Sequence, residues 1–273
     1  MTHPQIAVFA RLADGNAEAV RKIEGQKTRI GRTIHSIAYD PIHDEFTVPS
    51  QLAQAVLTFR GAADGEEAPI RVIQGPLTEL RDPDVLTSDP VHNEIFVPEG
   101  YAILVFAREA NGNAAPIRVL KGPAGQDYRL GMTAVDPVHN VLVVAGSIGE
   151  HQPRLLIYNR TDQGNATPKA IIGGPKSGMR SAGGPFVVYP PKGEIILTIP
   201  APGGDTNRFT GESYVGVWSI QDNGDVPPRF TIGGPKGILQ RPKGATIDVK
   251  NKSIIVSDKG LNAVMTYYFP ELF

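Results

Sequence analysis

The chain contains no cysteine, which excludes disulfides, thiolate nucleophiles and cysteine metal ligands. It also lacks charge imbalance: 27 basic and 28 acidic residues among 273 leave a net charge of −1. Neither a nucleic acid nor an anionic membrane surface is therefore expected as a partner. No apolar run approaches the length that a membrane-spanning helix needs, so no membrane insertion is expected. Nucleophile elbows, Walker loops, His-Glu-x-x-His and paired-carboxylate spacings are absent too, and no cofactor is implied. The excess lies in turn formers, 30 Gly and 24 Pro beside 41% hydrophobic residues, a composition that points to an all-β chain rich in turns.

The opening Met1-Thr2-His3-Pro4-Gln5 runs straight into strand-like residues and leaves no room for a signal peptide. As written, the chain is expected in the cytoplasm, or outside it if a trimmed precursor has been given a new methionine. The Asn159-Arg160-Thr161 and Asn165-Ala166-Thr167 triplets are weak glycosylation signals that occur by chance.

One phrase recurs five times. An aromatic residue ends an apolar run, a glycine follows six residues later, and a second glycine closes the phrase sixteen residues after the aromatic. The copies are Phe9/Gly15/Gly25, Phe59/Gly65/Gly75, Phe106/Gly112/Gly122, Tyr158/Gly164/Gly174 and Trp218/Gly224/Gly234. The interval between successive aromatics varies from copy to copy while the inner spacing never changes. A repeat of several tens of residues with strand-like content indicates a propeller or solenoid.

In the third copy, Ile103-Leu104-Val105-Phe106 reads as a strand, Asn111-Gly112-Asn113 as a turn and Pro116-Ile117-Arg118-Val119-Leu120 as a second strand. Glycine supplies the positive φ, and the constant spacing sets the pairing register of an antiparallel hairpin. The rest of the repeat, Gly131 to Asn140 and then Val141-Leu142-Val143-Val144, is a strand, an Asp-Pro turn and a further strand. Each unit is thus four antiparallel strands, a to d from the inside outward, which is a propeller blade. Strand a ends at Asp40, Asp89, Asp136, Tyr189 and Val249, and strand d also occurs five times. The simplest reading is one all-β domain, 1–273, with five four-stranded blades, the last made of strands from both chain ends; six blades is the alternative. Strand c occurs a sixth time, at Ala263-Val264-Met265-Thr266-Tyr267. That surplus is open to three readings: an extra edge strand, an element swapped between protomers, or an irregular sixth blade.

Leu80-Arg81-Asp82-Pro83-Asp84, Leu239-Gln240-Arg241-Pro242-Lys243-Gly244-Ala245 and the Asp-Pro turns that follow resemble NHL-repeat propellers and the wider TolB-like group. The resemblance spans nearly the whole chain and implies the fold, commonly with six blades. Its motifs are structural and imply no single activity.

Strand direction puts the a–b and c–d turns at one end of the blades and the b–c and d–a loops at the other. The interval from the end of strand a to the next aromatic is longest from Asp136 to Tyr158 and from Tyr189 to Trp218. Irregularity therefore collects in the b–c loops, where function concentrates. Two of them stand out: Gly146 to Arg154, bearing Glu150, His151 and Arg154, and Ala201 to Ser213, bearing Arg208. An arginine also occurs in every d–a crossing, as Arg32, Arg81, Arg129, Arg180 and Arg241. Facing a common mouth they make an anion site; packed across blade seams or bonded to carbonyls of the next blade they are scaffold. Asp-Pro-x-His occurs at Asp40, Asp89 and Asp136. Each copy belongs to its own turn, so the spacing favours local turn bonds over a shared metal. His35 opens the first strand a near Arg32, and no acid and histidine set matches the metal-dependent hydrolases of related fold.

These features favour a non-enzymatic propeller that binds a small anionic ligand or a protein partner at the b–c and d–a end. The alternatives are a metal-dependent lactonase-like hydrolase or lyase at the channel mouth and a structural or assembly module.

Overall fold

The computed structural model describes residues 4–180, 184–202 and 212–273. The apolar c runs and the basic-then-apolar d runs form antiparallel hairpins, and the Asp-Pro turns join a to b. The fold is a five-bladed all-β propeller; its sheets are four complete antiparallel ones, a two-stranded ladder in the N-terminal part of the chain and a three-stranded sheet in its C-terminal part.

The N-terminal ladder is β1 (Gln5–Val8) with β2 (Arg21–Glu24). Next comes β3 (Ala38–Asp40), β4 (Glu45–Ser50), β5 (Ala55–Arg60) and β6 (Arg71–Gln74), paired in that order. The following sheet is β7 (Thr87–Asp89), β8 (Glu94–Pro98), β9 (Ala102–Ala107) and β10 (Arg118–Lys121). After it stand β11 (Tyr128–Asp136), β12 (Val141–Ile148) and β13 (Gln152–Asn159), then the short β14 (Gly164–Asn165) and the outer β15 (Ala170–Ile172). The last complete sheet is β16 (Val187–Tyr189), β17 (Glu194–Ile199), β18 (Tyr214–Ser219) and β19 (Phe230–Gly233). A three-stranded sheet ends the chain: β20 (Pro242–Asp248), β21 (Ser253–Asp258) and β22 (Ala263–Tyr268).

The surplus third strand is thereby accounted for. The single ladder expected from the two ends is two ladders among the described residues. β2 pairs with its own β1 from Gln5↔Glu24 to Val8↔Arg21, and β22 pairs with β21 from Ser253↔Tyr268 to Asp258↔Ala263. The edge of β2 that a C-terminal strand was expected to fill is taken by β1, its hairpin neighbour in sequence.

The chain divides into two compact units, Met1–Glu99 with Leu104–Arg118 and Gly100–Ile103 with Val119–Phe273. In the first, Ile23, Val48, Val56, Leu57, Phe59 and Ile73 are fully buried, and the Phe46 and Phe59 rings stack at 5.1 Å. In the second, one cluster centres on Val143, Leu155, Ile157, Leu197 and Trp218. Another joins Val215, Val217, Ile254 and Val256 to Leu272 of the C-terminal turn, where Phe273 meets the Tyr189 ring edge-on at 5.1 Å.

The recurring glycine does more than close its hairpin. In the first unit Gly65 (φ 58°) donates its N–H to Lys22 O at 2.8 Å and accepts from Glu24 N at 3.0 Å. Gly112 (φ 67°) does the same with Val72 O at 2.7 Å and Gln74 N at 2.9 Å. In the second unit Gly224 bonds Ile171 O at 2.7 Å and Gly173 N at 3.1 Å, and Gly164 pairs in parallel with Leu120. Each of these c–d turns is thus a short parallel bridge onto the d strand of the preceding repeat, opposite a buried Ile23, Ile73, Leu120 or Ile172. The residue before the glycine caps the same strand: Asn111 Oδ1 accepts from Val72 N at 2.9 Å and Asn223 Oδ1 from Ile171 N at 3.0 Å. The residue after it reaches the closing turn, with Asn113 Oδ1 accepting from Leu77 N at 2.7 Å.

Buried ion pairs join strands b and d in two sheets. Arg71 donates both Nη atoms to the Glu45 carboxylate, and Arg108 Nη1 reaches Glu45 Oε2 at 2.9 Å. Arg118 holds Glu94 through bonds of 2.7 and 2.8 Å. At the matching position of the last complete sheet, β19 opens on Phe230 in place of an arginine, and Arg229 pairs with Asp222 at 3.0 Å. Burial pushes the Glu194 carboxyl of that sheet above its usual range, against the charges of Lys192 and Arg229.

Two outcomes follow from these contacts. Gly112→Ala puts a side chain into a left-handed conformation and is expected to cost about 1–2 kcal/mol, read by urea unfolding; an unchanged midpoint would show that the bridge tolerates a Cβ. Burial raises the Glu45 pKa, but the hydrogen bonds of Arg71 and Arg108 outweigh it and hold the carboxyl below its usual range. Its contribution is complete above the unfolded-state pKa and lost as pH falls through the folded one. Glu45→Gln is expected to cost about 3 kcal/mol at pH 7 and to flatten the acid limb of stability against pH; a variant whose acid limb matches the parent's would refute this.

Candidate functional site

The second unit carries an open cleft of about 330 Å³. Its walls are Gly100 from one b–c turn, His151 from another with Arg154 at the start of β13, Arg129 from the start of β11, where the sequence suggests a d–a crossing, and Arg180 from the next d–a crossing. The floor is the upper margin of the core cluster, with Met132 and Met179 partly buried over Ala145 and Leu197.

Arg129 is aimed by a bulge. The β11–β12 register shifts between Arg129 and Met132, and such bulges bend a strand and redirect its side chains. Two glycines permit the crossing: a Cβ on Gly131 would lie 2.5 Å from Ala145 O, and one on Gly146 would lie 2.1 Å from Arg129 O. The Arg129 guanidinium rests 5.3 Å from the centre of the Tyr101 ring, a cation–π contact.

Arg180 is braced by the next blade. Its Nε donates to Pro200 O at 3.2 Å and its Nη2 to Glu212 O at 2.7 Å, with the Tyr214 ring centre at 5.8 Å. The loop that carries it is tied at several points. Asp225 Oδ1 accepts from Lys176 N at 2.8 Å and Ser177 N at 2.9 Å, and Tyr214 donates its hydroxyl to Gly178 O at 3.0 Å. Arg154 lies across Gly173, where a Cβ would stand 2.4 Å from its Cδ, and donates to Pro153 O and Gln152 Oε1 at 2.8 and 2.7 Å. His151 holds a left-handed φ of 58° at the tip of the β12–β13 turn. Glu212 pairs with Arg180 at 3.8 Å; among the described residues no carboxylate lines the cleft.

Of the residues singled out in the sequence, Arg129, His151 and Arg180 therefore line one cleft, joined by Arg154. Glu150 is exposed on the same turn but does not line it. Arg241 lies outside it; its backbone N–H is held by Asp258 at 3.0 Å. Arg32 and Arg81 are exposed in the first unit, where Arg81 O accepts from Gln54 Nε2 at 3.0 Å. Arg208 and the rest of the 203–211 stretch lie outside the described residues. The carbonyl bonds of Arg180 to the following blade are those of the scaffold reading. The two methionines carried no sequence signal, because nothing in their spacing separates a cleft floor from ordinary core.

The Asp-Pro-x-His turns are local, as expected. Asp40, Asp89 and Asp136 each accept two turn amides at 2.9–3.2 Å through Oδ1 and hold the histidine Nδ1 at 2.7–2.8 Å through Oδ2. His35 pairs with Asp84.

A nearly complete match to solved structures decides the fold. Kuenenia stuttgartiensis hydrazine synthase is similar at a TM-score of 0.61 and 13% identity, over 93% of this chain and 68% of that one. The fold is that of a β-propeller. A chain of a nidogen/laminin complex is similar at a TM-score of 0.55 and 13% identity, over 86% of this chain and 80% of that one. No family model matches the chain, and no curated protein matches it in sequence.

Because Asp225 braces the propeller loop that carries Met179 and Arg180, Asp225→Ala is expected to cost about 1–2 kcal/mol and to speed amide exchange at Lys176 and Ser177. Unchanged exchange at those two amides would show that the loop holds itself.

Proposed function

We propose that this chain is a binding propeller that takes a small anionic ligand in the cleft of Arg129, His151, Arg154 and Arg180. The observation that carries the reading is three arginines and a histidine around one concavity, with no carboxylate in its walls among the described residues. Such a cluster repels itself unless anions offset it; Glu212 stands 3.8 Å from Arg180, whereas Arg129 and Arg154 have no carboxylate partner among the described residues, and guanidinium groups match planar oxyanions in geometry and charge. The braced loops support a preformed site, which lowers the ordering cost of binding. The resemblance of the Asp-Pro turns to NHL-type propellers fits a binding role, and we place the chain near that group. A second reading, a protein partner, draws support from the similar propeller being part of a nidogen/laminin complex.

Phosphate, sulfate or a carboxylate is expected to raise the melting temperature, with about 2.7 kcal/mol of stabilisation at a hundredfold excess over the dissociation constant. The Arg129→Gln/Arg180→Gln double variant is expected to lose that response while melting as a folded protein. Equal anion shifts in the parent and the double variant would sink the reading.

A further inference from the structure

The cleft joins charged and apolar side chains. Beside Arg129, His151, Arg154, Arg180 and Ser147 it is lined by Leu130, Met132, Ala145, Pro153, Met179 and Leu197, of which Met132, Pro153 and Met179 keep part of their surface exposed. A site for a bare inorganic anion would surround it with donors on several sides. Here the guanidiniums share the cleft with the hydrocarbon and thioether of Met132, Pro153 and Met179. Met132 and Met179 are only partly buried against the core, so apolar area remains available at the floor, and methionine adapts to flexible chains. A volume of about 330 Å³ is at the small end of ligand pockets.

We infer that the cleft takes a short-chain aliphatic monocarboxylate, its carboxylate on Arg129 and Arg180 and its hydrocarbon chain over Met132 and Met179. This rests on the anion-binding reading above and adds the apolar half of the ligand. Arg129, whose side chain among the described residues has only the Tyr101 ring contact, supplies donors to the carboxylate, whereas Arg180, already bonded to Pro200 O and Glu212 O and 3.8 Å from the Glu212 carboxylate, has fewer to give. Removing Arg129 therefore weakens every member of a homologous series alike, and removing a floor methionine weakens the longer ones most.

Calorimetric titration of the full chain with acetate, butanoate, hexanoate and octanoate at constant ionic strength, beside inorganic phosphate, tests this. Affinity is expected to rise by about twofold to fourfold per methylene over the first several carbons, with phosphate weaker than hexanoate. Arg129→Gln is expected to lower the whole series by about tenfold and keep the increment. Met179→Ser is expected to flatten the increment, and Met132→Thr provides the same reading should the first variant fail to fold. Phosphate binding with no dependence on chain length would overturn the inference and leave the anion site standing. Absence of binding by every anion would overturn both.

Discussion

The blades depend on the bridge between a c–d glycine turn and the d strand of the repeat before it, made at Gly65, Gly112, Gly164 and Gly224. A glycine in the left-handed region exposes its N–H and C=O on one side of the turn, and both are taken by the neighbouring strand, as at Gly112 with Val72 and Gln74. The residues on either side add side-chain acceptors, so three successive positions, Asn111, Gly112 and Asn113, hold the preceding strand and its closing turn. Any residue inserted between the aromatic and the two glycines shifts this contact out of register. That is the physical reason for the constant spacing of six and sixteen residues. The glycine is required for its conformation and not for space, since a Cβ at Gly65, Gly112, Gly164 or Gly224 would touch nothing within 4 Å.

The bridges also explain where variation is tolerated. They occupy the c–d turns, and the Asp-Pro turns beside them are closed by their own aspartates, so one end of each blade is committed to structure. Three d–a crossings open with a repeated turn of their own, Thr28, Thr78 and Ser177 donating their hydroxyls to Gly25 O, Gly75 O and Gly174 O at 2.6–2.7 Å, so variation collects in the b–c turns and beyond those first crossing residues. The cleft uses that freedom: Gly131 and Gly146 let a bulge redirect Arg129, while Asp225, one residue after a bridge glycine, fixes the loop of Met179 and Arg180. A structural turn in one blade thus positions a candidate ligand group contributed by the crossing before it.

The buried carboxylates share one position in their blades with different results. Glu45 and Glu94 open strand b and meet an arginine from strand d, which offsets their desolvation. Glu194 occupies the equivalent place in a sheet whose d strand opens on Phe230, and burial is the largest influence on its acidity. Equivalent sites in a repeat share geometry and not necessarily chemistry, which is why the five crossing arginines do not behave as one set.

The repeat phrase by itself determined the all-β blade, the hairpin register and the local nature of the Asp-Pro-x-His turns, because these depend on spacing and on contacts within a few residues. It also marked Arg129, His151 and Arg180 by their place in the loops. Three matters were decided only in three dimensions. Whether β2 paired with β1 or with a C-terminal strand depended on competition for one strand edge, which composition does not rank. The gathering of Arg129, Arg154 and Arg180 at one cleft depended on a bulge and on bracing from residues distant in sequence, such as Asp225 for Lys176. The apolar floor depended on Met132 and Met179 lying half-exposed at the margin of a core, and a sequence records hydrophobicity without recording where burial stops.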